Sequence, residues 1–260
     1  MTLTLPERVR EPAAAAVPLG VRTLGRFAVV RQGTPLAVGD WYSRKVRDLF
    51  KILVSRQGRA LTRDATLDLL WPDAEGEYDE ARRSRLSVTL STLRKVLDPD
   101  KCFAADHYLV ADRSALSLRA EHVEVDVTDL LRTVRRAQDA ADHGDWSEAD
   151  RLLGSPAAAY PGDFLEEDLY EDWAVDCREV ARSAAVAAAR LRVEAARRWG
   201  DIDRVARHLE SLLRLDPYDE PAWLALLAVL HELRRHGEVR RHHARYARRM
   251  HEIGVAPRPA

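Results

Sequence analysis

The sequence predicts a mostly α-helical protein with small β elements, arranged as two domains. In the first half, short stretches of alternating apolar residues flank three segments with helical periodicity. From about residue 125 onwards, nearly every stretch has helical periodicity. A short glycine-led motif recurs in this second half, which is typical of stacked helix pairs. A chain of 260 residues is long enough for two cores of ordinary size.

Composition narrows the functional classes. The chain has 41 basic and 42 acidic residues, so any affinity for nucleic acid must come from local clusters. Cys102 and Cys177 lack a CxxC spacing, which disfavours a zinc site or a disulfide framework. The sequence has neither a signal-peptide pattern nor a long uncharged apolar stretch. We therefore expect a cytoplasmic protein without membrane contact, with a disordered arm over residues 1–20.

The first domain is predicted over residues 21–121 and begins with a small sheet. Apolar residues alternate with polar ones from Val21 to Val29, which favours a strand. Residues 32–35 predict a turn, and residues 36–38 predict a second strand. Together they indicate an antiparallel hairpin or sheet.

Two helices are predicted next. Apolar residues from Val46 to Val54 have the spacing of one helix face, and Gly58 supplies a C-terminal stop. The second helix begins at Thr62, which serves as its N-cap, and ends at Pro72. An acidic loop separates it from the third helix.

The third helix has one apolar face and one polar face. Its leucines recur at intervals of 4, 3 and 4, which predicts a single buried stripe. The stripe consists of Leu86, Leu90, Leu93 and Leu97. The opposite side carries Ser84, Val88, Ser91 and Lys95. This outer face is small and hydroxylated, with basic residues at both ends.

A terminal hairpin follows the third helix. Residues 108–110 and 116–118 predict its strands, and Asp112 to Ser114 predict the turn. A sheet, three helices and a hairpin form the order of elements in a winged helix-turn-helix domain. A helix with small outer residues fits the major groove, and flanking cations neutralise phosphates. Residues 41–119 contain 15 Lys or Arg and 12 Asp or Glu, so this domain is slightly basic.

The second domain is predicted over residues 122–260 as an all-α domain similar to tetratricopeptide repeats (TPR). Helix starts recur at Gly144, Gly200 and Gly237, and the last two glycines are 37 residues apart. Three helix pairs are therefore expected, interrupted after the first by an acidic insert. The acidic groups of this insert favour solvation, with contact to a basic protein as the alternative. Its aromatic residues are expected in the core: Tyr160, Phe164, Tyr170 and Trp173.

Catalytic and cofactor motifs are missing from the sequence. It contains no GxxxxGK(S/T), GxGxxG, GxSxG or HExxH pattern, so we expect no enzyme activity and no cofactor. The histidines of the last helices show no supported ligand spacing, so we expect no metal site. The basic face of those helices favours solvation, with contact to DNA, polymerase or the first domain as the alternatives.

Several motifs in combination resemble a known family. The stretch RKVRDLFKILVSRQGRALTRDATLDLLWPD, followed by RLSVTLSTLRKVLDPD, resembles the OmpR-type winged helix of the Streptomyces antibiotic regulatory proteins. The segment YPGDFLEEDLYEDW, the helix pairs and the terminal HEIGVAPRP resemble the bacterial transcriptional activator domain that follows it there. The resemblance spans about residues 21–259, and its most specific parts are LLWPD, LSxxLSxLRKxL and YPGDFL.

The resemblance implies a sequence-specific activator that binds direct-repeat promoter DNA, often as two protomers side by side. It also implies contact with RNA polymerase through the sigma or alpha subunit. The family motif places DNA-facing positions in the third helix at Arg85, Val88, Thr89, Ser91, Thr92 and Arg94. It places phosphate contacts at Arg82, Arg83 and Lys95.

The terminal hairpin, or wing, departs from the family pattern. Arg113 at its tip is a candidate for the minor groove. Where these winged helices commonly have Gly-Tyr, this sequence has His107-Tyr108, so the wing geometry is open. The alternative function is a TPR-type adaptor whose winged helix mediates protein contact, since winged helices also take that role.

Overall fold

The computed structural model of the chain describes residues 18–72 and 79–258. Most of the predicted N-terminal arm, part of the acidic loop and the last two residues lie outside the described residues. The chain divides into two compact units. Among the described residues, the first comprises residues 18–21 and those between Ala28 and Glu124. The second comprises residues 125–258 and, in addition, the short segment Arg22–Phe27.

The first unit opens with the predicted sheet, although its connections differ from the prediction. Its strands are β1 (Leu19–Arg22), β2 (Ala28–Arg31), β3 (Thr34–Pro35) and β7 (Val123–Val125), in the order β3-β2-β1-β7. The turn is shorter than predicted, because Gln32 and Gly33 alone form it, both with positive φ. Residues 36–38 form no strand, since a 3₁₀ turn begins at Val38.

The three predicted helices of the first unit are confirmed. They are α1 (Arg44–Ser55), α2 (Arg63–Leu70) and α3 (Asp79–Leu97). The Thr62 side chain caps α2 by accepting a hydrogen bond from the backbone N–H of Ala65 at 3.2 Å. The leucine stripe of α3 is buried, and α1 packs against it. This packing fixes which side of α3 faces outwards.

The terminal hairpin is also confirmed. It pairs β5 (Leu109–Ala111) with β6 (Ala115–Leu118), and β6 also pairs with β4 (Leu61–Thr62). Because β4 leads directly into α2, the hairpin is attached to the N-terminus of that helix. The element order of a winged helix-turn-helix is therefore present in the first unit.

The second unit contains the three predicted helix pairs. They are α4 (Asp126–Asp142) with α5 (Trp146–Leu153), α6 (Asp172–Arg198) with α7 (Ile202–Leu215), and α8 (Glu220–Glu232) with α9 (His236–Glu252). The core of the last four helices includes Trp223 and Tyr246, both almost completely buried. Trp223 donates its indole N–H to the carbonyl of Pro217 at 2.9 Å. This bond connects α8 to the Asp-Pro turn that precedes it.

The turns inside the three pairs share one geometry. Gly144 and Gly200 take positive φ, and the aspartate after each caps the next helix. In the third pair Arg234 takes this conformation with φ 59°, whereas Gly237 lies inside α9. The prediction that Gly237 starts the third repeat of the motif is therefore wrong. Arg234 follows Gly200 by 34 residues, which is the tetratricopeptide period.

The segment Arg22–Phe27 is predicted as part of the first domain, but its contacts lie in the second unit. The Asp126 carboxylate accepts hydrogen bonds from the backbone N–H groups of Thr23 and Leu24, at 2.8 to 3.0 Å. It also accepts one from the Thr23 hydroxyl at 2.6 Å. Leu24 pairs with Phe164 in an isolated antiparallel bridge. The YPGDFL motif therefore forms part of a docking loop for this segment.

Two glycines make this close approach possible. Gly25 takes φ 84°, a left-handed conformation that glycine adopts without strain. A Cβ on Gly162 would lie 3.0 Å from the Cα of Gly25 and 2.1 Å from a Glu166 carboxylate oxygen. The motif therefore needs glycine at position 162 because the backbone of residue 25 lies against it.

Candidate nucleic-acid interface

The outer face of α3 consists of small and hydroxylated side chains between cations. Val88 is 64% exposed, and Ser84, Ser87 and Ser91 are exposed around it. The hydroxyls of Ser87 and Thr92 donate to backbone carbonyls one turn earlier, at 3.0 and 2.9 Å, so they stay close to the helix. Short side chains of this kind let a helix backbone approach base edges closely.

Four of the predicted cations lie on this face or beside it. Arg83 and Arg85 are exposed on the N-terminal half of α3, and Arg113 is exposed at the hairpin tip. The Lys95 ammonium lies 5.0 Å from the centroid of the Tyr42 ring, a cation–π contact at the C-terminal end of the helix. The structure thus distributes positive charge along the whole outer side of α3.

Three other predicted positions have different environments. Thr89 is buried and donates its hydroxyl to the carbonyl of Arg85 at 2.8 Å. The Arg82 guanidinium forms an ion pair with Asp68 at 2.9 Å, and its side chain is only 19% exposed. Arg94 donates to the carbonyl of Ala105 at 3.1 Å. The prediction that Thr89 faces DNA is therefore wrong, because the leucine stripe turns this position inwards. Arg82 and Arg94 are half-buried, and each has an intramolecular partner.

An open basin lies where α2, α3 and the hairpin meet. Its volume is about 830 Å³, and its lining includes Arg63, Arg83 and Arg113. Thr62 and Arg63 at the N-terminus of α2 line this basin, and so do the acidic residues Asp64 and Asp112. Three guanidinium groups around one open basin suit a phosphate group.

Arg63 is not among the DNA-contacting residues predicted from the sequence. Its guanidinium donates to the carbonyl of Asp112 at 2.9 Å, and its backbone N–H donates to the carbonyl of Ser114 at 2.9 Å. Both partners belong to the hairpin, about fifty positions later in the chain. The β4–β6 pairing brings them together, and no local pattern around Arg63 signals it.

The hairpin tip that carries Arg113 is held in shape by its neighbour. The Asp112 carboxylate accepts hydrogen bonds from the backbone N–H groups of Ser114 and Ala115 at 2.6 and 2.8 Å. These bonds lower the pKa of Asp112, which keeps the carboxylate charged. Arg113 therefore projects from an ordered turn, which reduces the entropy lost on binding.

His107, which replaces the usual glycine before the wing, packs in an aromatic stack. Its ring lies 4.1 Å from the ring of Phe103 and 3.8 Å from that of His122, centroid to centroid. Tyr108 next to it is buried. Burial, followed by the charge of His122, lowers the pKa of His107, so the ring is neutral in the folded protein at neutral pH. The position therefore stabilises the base of the wing.

One group in the described part of the second unit has the donor atoms for a metal ion. Ligand atoms of Glu210, Glu238 and His242 lie within 4.8 Å of one another. The His242 Nε2 is 3.4 Å from a Glu210 carboxylate oxygen, and burial lowers the pKa of His242. Arg245 lines the same small cavity, and its positive charge opposes a bound cation. The geometry is accounted for by a histidine–glutamate contact between α7 and α9.

Fold and surface together define a class of protein. A winged helix with a cationic outer face and a TPR-like helical domain form the architecture of a bacterial transcription regulator. The family model described as bacterial transcriptional activator domain matches residues 125–260, which is more than half of the chain. The chain therefore belongs to the bacterial transcriptional activator domain family.

A solved structure has the same fold over most of the chain. It is described as Mycobacterium tuberculosis EmbR in complex with low affinity phosphopeptide, with a TM-score of 0.72 and 22% sequence identity. The match covers 93% of this chain and 62% of that chain, so this chain spans less than two thirds of the length of EmbR. A search of curated proteins gave no match. Within the described residues, no helix is both long and apolar enough to cross a membrane.

Proposed function

We propose that this protein is a sequence-specific DNA-binding activator that binds direct-repeat promoter sites, with two protomers side by side, and contacts RNA polymerase. The observation that carries the DNA-binding part is the continuity of two surfaces in the first unit. The outer face of α3 adjoins the basin of Arg63, Arg83 and Arg113. In one DNA duplex, base edges lie beside phosphates, so the small polar face of α3 suits the base edges and the cationic basin suits the phosphates.

The proposed roles follow from side-chain chemistry and exposure. Arg85 has the fork geometry that pairs with the O6 and N7 atoms of guanine, and Val88 suits the methyl group of thymine. Ser91 can bond to either kind of base. Arg83 and Lys95 contact phosphates on either side, and Arg63 adds a contact that the sequence analysis did not propose. Arg113 enters the adjacent minor groove.

The test is fluorescence anisotropy with a promoter duplex and a scrambled duplex across a series of salt concentrations. A wild-type protein that releases several counterions loses affinity steeply as salt rises. Arg85→Ala should lose about 1–3 kcal/mol of discrimination between the two duplexes. Arg83→Ala should weaken both about equally and lower the salt dependence by about one counterion. Arg132→Ala, at a 66% exposed arginine of the second unit, is the control.

The adaptor function makes the opposite prediction. A winged helix that contacts protein would show a weak salt dependence and no preference for promoter DNA. If Arg85→Ala and Arg83→Ala both leave promoter binding unchanged, the assignment of this face to DNA is wrong. Two protomers on one direct repeat are checked separately by the stoichiometry of the complex.

A further inference from the structure

The aromatic residues of the acidic insert differ from the prediction that all four lie in the core, since Tyr160 and Trp173 are only half-buried. The sequence predicts Tyr170 in the core, and Phe164 of the same insert is indeed completely buried. Tyr170 instead is 98% exposed, and its neighbour Leu169 is 53% exposed. An aromatic and an aliphatic side chain thus lie together in solvent, where burial contributes nothing to folding.

The short turn that carries these two side chains is anchored to the unit on both sides. Before the turn, Leu165 is completely buried and donates its backbone N–H to the carbonyl of Thr23 at 2.7 Å. Underneath, the Arg178 guanidinium donates to the carbonyls of Phe164 and Asp168 at 3.2 and 3.1 Å. The turn is therefore ordered before any partner arrives, which lowers the entropy lost on binding.

The acidic residues around the turn indicate the charge of the surface that it can bind. Residues 163–179 contain eight Asp or Glu and one basic residue, Arg178, which is directed at backbone carbonyls. Arg182, just beyond this range, lies 3.7 Å from the Asp163 carboxylate, so seven acidic residues remain outside that pair. Such a surface repels the phosphates of DNA and of anionic lipids and attracts a basic protein surface. Tyrosine is the kind of side chain that anchors protein interfaces when its ring enters an apolar pocket.

We propose that Leu169 and Tyr170 form a docking tip for a basic surface of RNA polymerase that contains an apolar pocket. The tyrosine ring enters the pocket, and the acidic residues around the tip face cations on its rim. This inference rests on the proposed function, because it names the surface through which the activator contacts polymerase. It assigns polymerase contact to the insert and leaves DNA contact to the first unit.

The experiment measures binding of full-length protein to RNA polymerase holoenzyme purified from the organism that encodes the chain. Tyr170→Ala is expected to lower the affinity about tenfold or more, as loss of a central aromatic anchor does. Because Tyr170 is 98% exposed, this variant should keep the wild-type melting temperature. The control is Trp199→Ala, at a 52% exposed aromatic residue that follows the opposite end of α6. A helix of this length places the two sites about 40 Å apart.

Two further measurements complete the test. Asp172→Asn combined with Asp176→Asn should slow association and reduce its dependence on salt, since both residues are exposed in the first turns of α6, directly after the tip. A photo-crosslinking amino acid at position 170 should label a polymerase subunit in the assembled promoter complex. Promoter binding without polymerase should be unchanged in every variant.

Three outcomes would overturn the inference. The first is that Tyr170→Ala binds polymerase as tightly as wild type. The second is that wild-type protein binds the promoter but not polymerase, which leaves DNA binding intact and removes the docking tip. The third is that the variant loses self-association and keeps polymerase binding, which would assign the tip to a second copy of the chain. Failure of promoter binding by wild type instead refutes the DNA-binding part of the proposed function.

Discussion

The Asp126 carboxylate offers the sharpest test of how the second unit is assembled. It lies at the start of α4 and accepts hydrogen bonds from two backbone N–H groups and one hydroxyl of the segment Arg22–Phe27. Thr23 is completely buried and Leu24 is 5% exposed. Asp126→Ala would therefore remove the acceptor for three donors that have little access to water.

The expected cost follows from those donors. A buried donor without an acceptor costs about 1–3 kcal/mol, and bonds to a charged acceptor lie at the upper end of that range. Allowing for partial access of water, we expect Asp126→Ala to lower the free energy of unfolding by about 3–5 kcal/mol. That is a large share of the roughly 5–15 kcal/mol that stabilises an ordinary domain. Asp126→Asn keeps one acceptor oxygen, so we expect about half of the loss.

The assay is urea unfolding followed by circular dichroism, together with hydrogen exchange at the amides of residues 23 and 24. The matched control is Asp129→Ala in the same first turn of α4, whose carboxylate pairs with Arg132 on the surface. This control loses a similar interaction with the helix dipole and a surface ion pair, together worth about 1 kcal/mol. Equal effects of Asp126→Ala and Asp129→Ala, with unchanged amide protection, would refute the reasoning.

Three other changes are predicted. Gly162→Ala should lower the free energy of unfolding by about 1–3 kcal/mol, because its Cβ meets the Gly25 backbone; urea unfolding measures it, with Gly154→Ala as control. Arg234→Gly should raise the free energy of unfolding by about 0.5–1 kcal/mol, since it relieves a positive φ; no gain in the same assay would mean the turn is unstrained. The pKa of His107 is lowered by burial, so the folded state binds a proton less readily than the unfolded chain, whose histidine titrates near 6.5. Stability is therefore complete above that pH and falls as pH drops below it. Melting temperatures between pH 7.5 and 5 should show this fall, and His107→Gln should reduce the slope.

Local patterns in the sequence predicted most of the fold. The leucine stripe of α3 and the Thr62 cap depend on neighbours within one or two turns, so periodicity and capping preferences reveal them. The first two Gly-Asp turns were equally visible. The third was misplaced because Arg234 adopts a conformation that is normally signalled by glycine.

The candidate interface was predicted less completely, because its chemistry depends on contacts between distant segments. A helical wheel shows that Arg82 and Arg94 flank the outer face, but Asp68 and the carbonyl of Ala105 pair with them in the folded chain. Arg63 gains its position only when the hairpin pairs with β4. The charge pattern of the sequence therefore identifies the candidate helix, but only the tertiary structure shows what surrounds each of its cations.

Because residues 22–27 pack in the second unit, that unit is not one continuous stretch of the chain. The family match begins at residue 125, yet the first helix after that point bonds to backbone donors about one hundred positions earlier in the chain. These donors lie directly after β1, and Ala28 of β2 follows the same segment. A fragment that begins at residue 125 would lack the partners of Asp126 and Leu24, the residue that pairs with Phe164. The hydrogen-bonded unit is therefore larger than the sequence family, so variants of the whole chain, and not excised halves, are the appropriate material for testing either function.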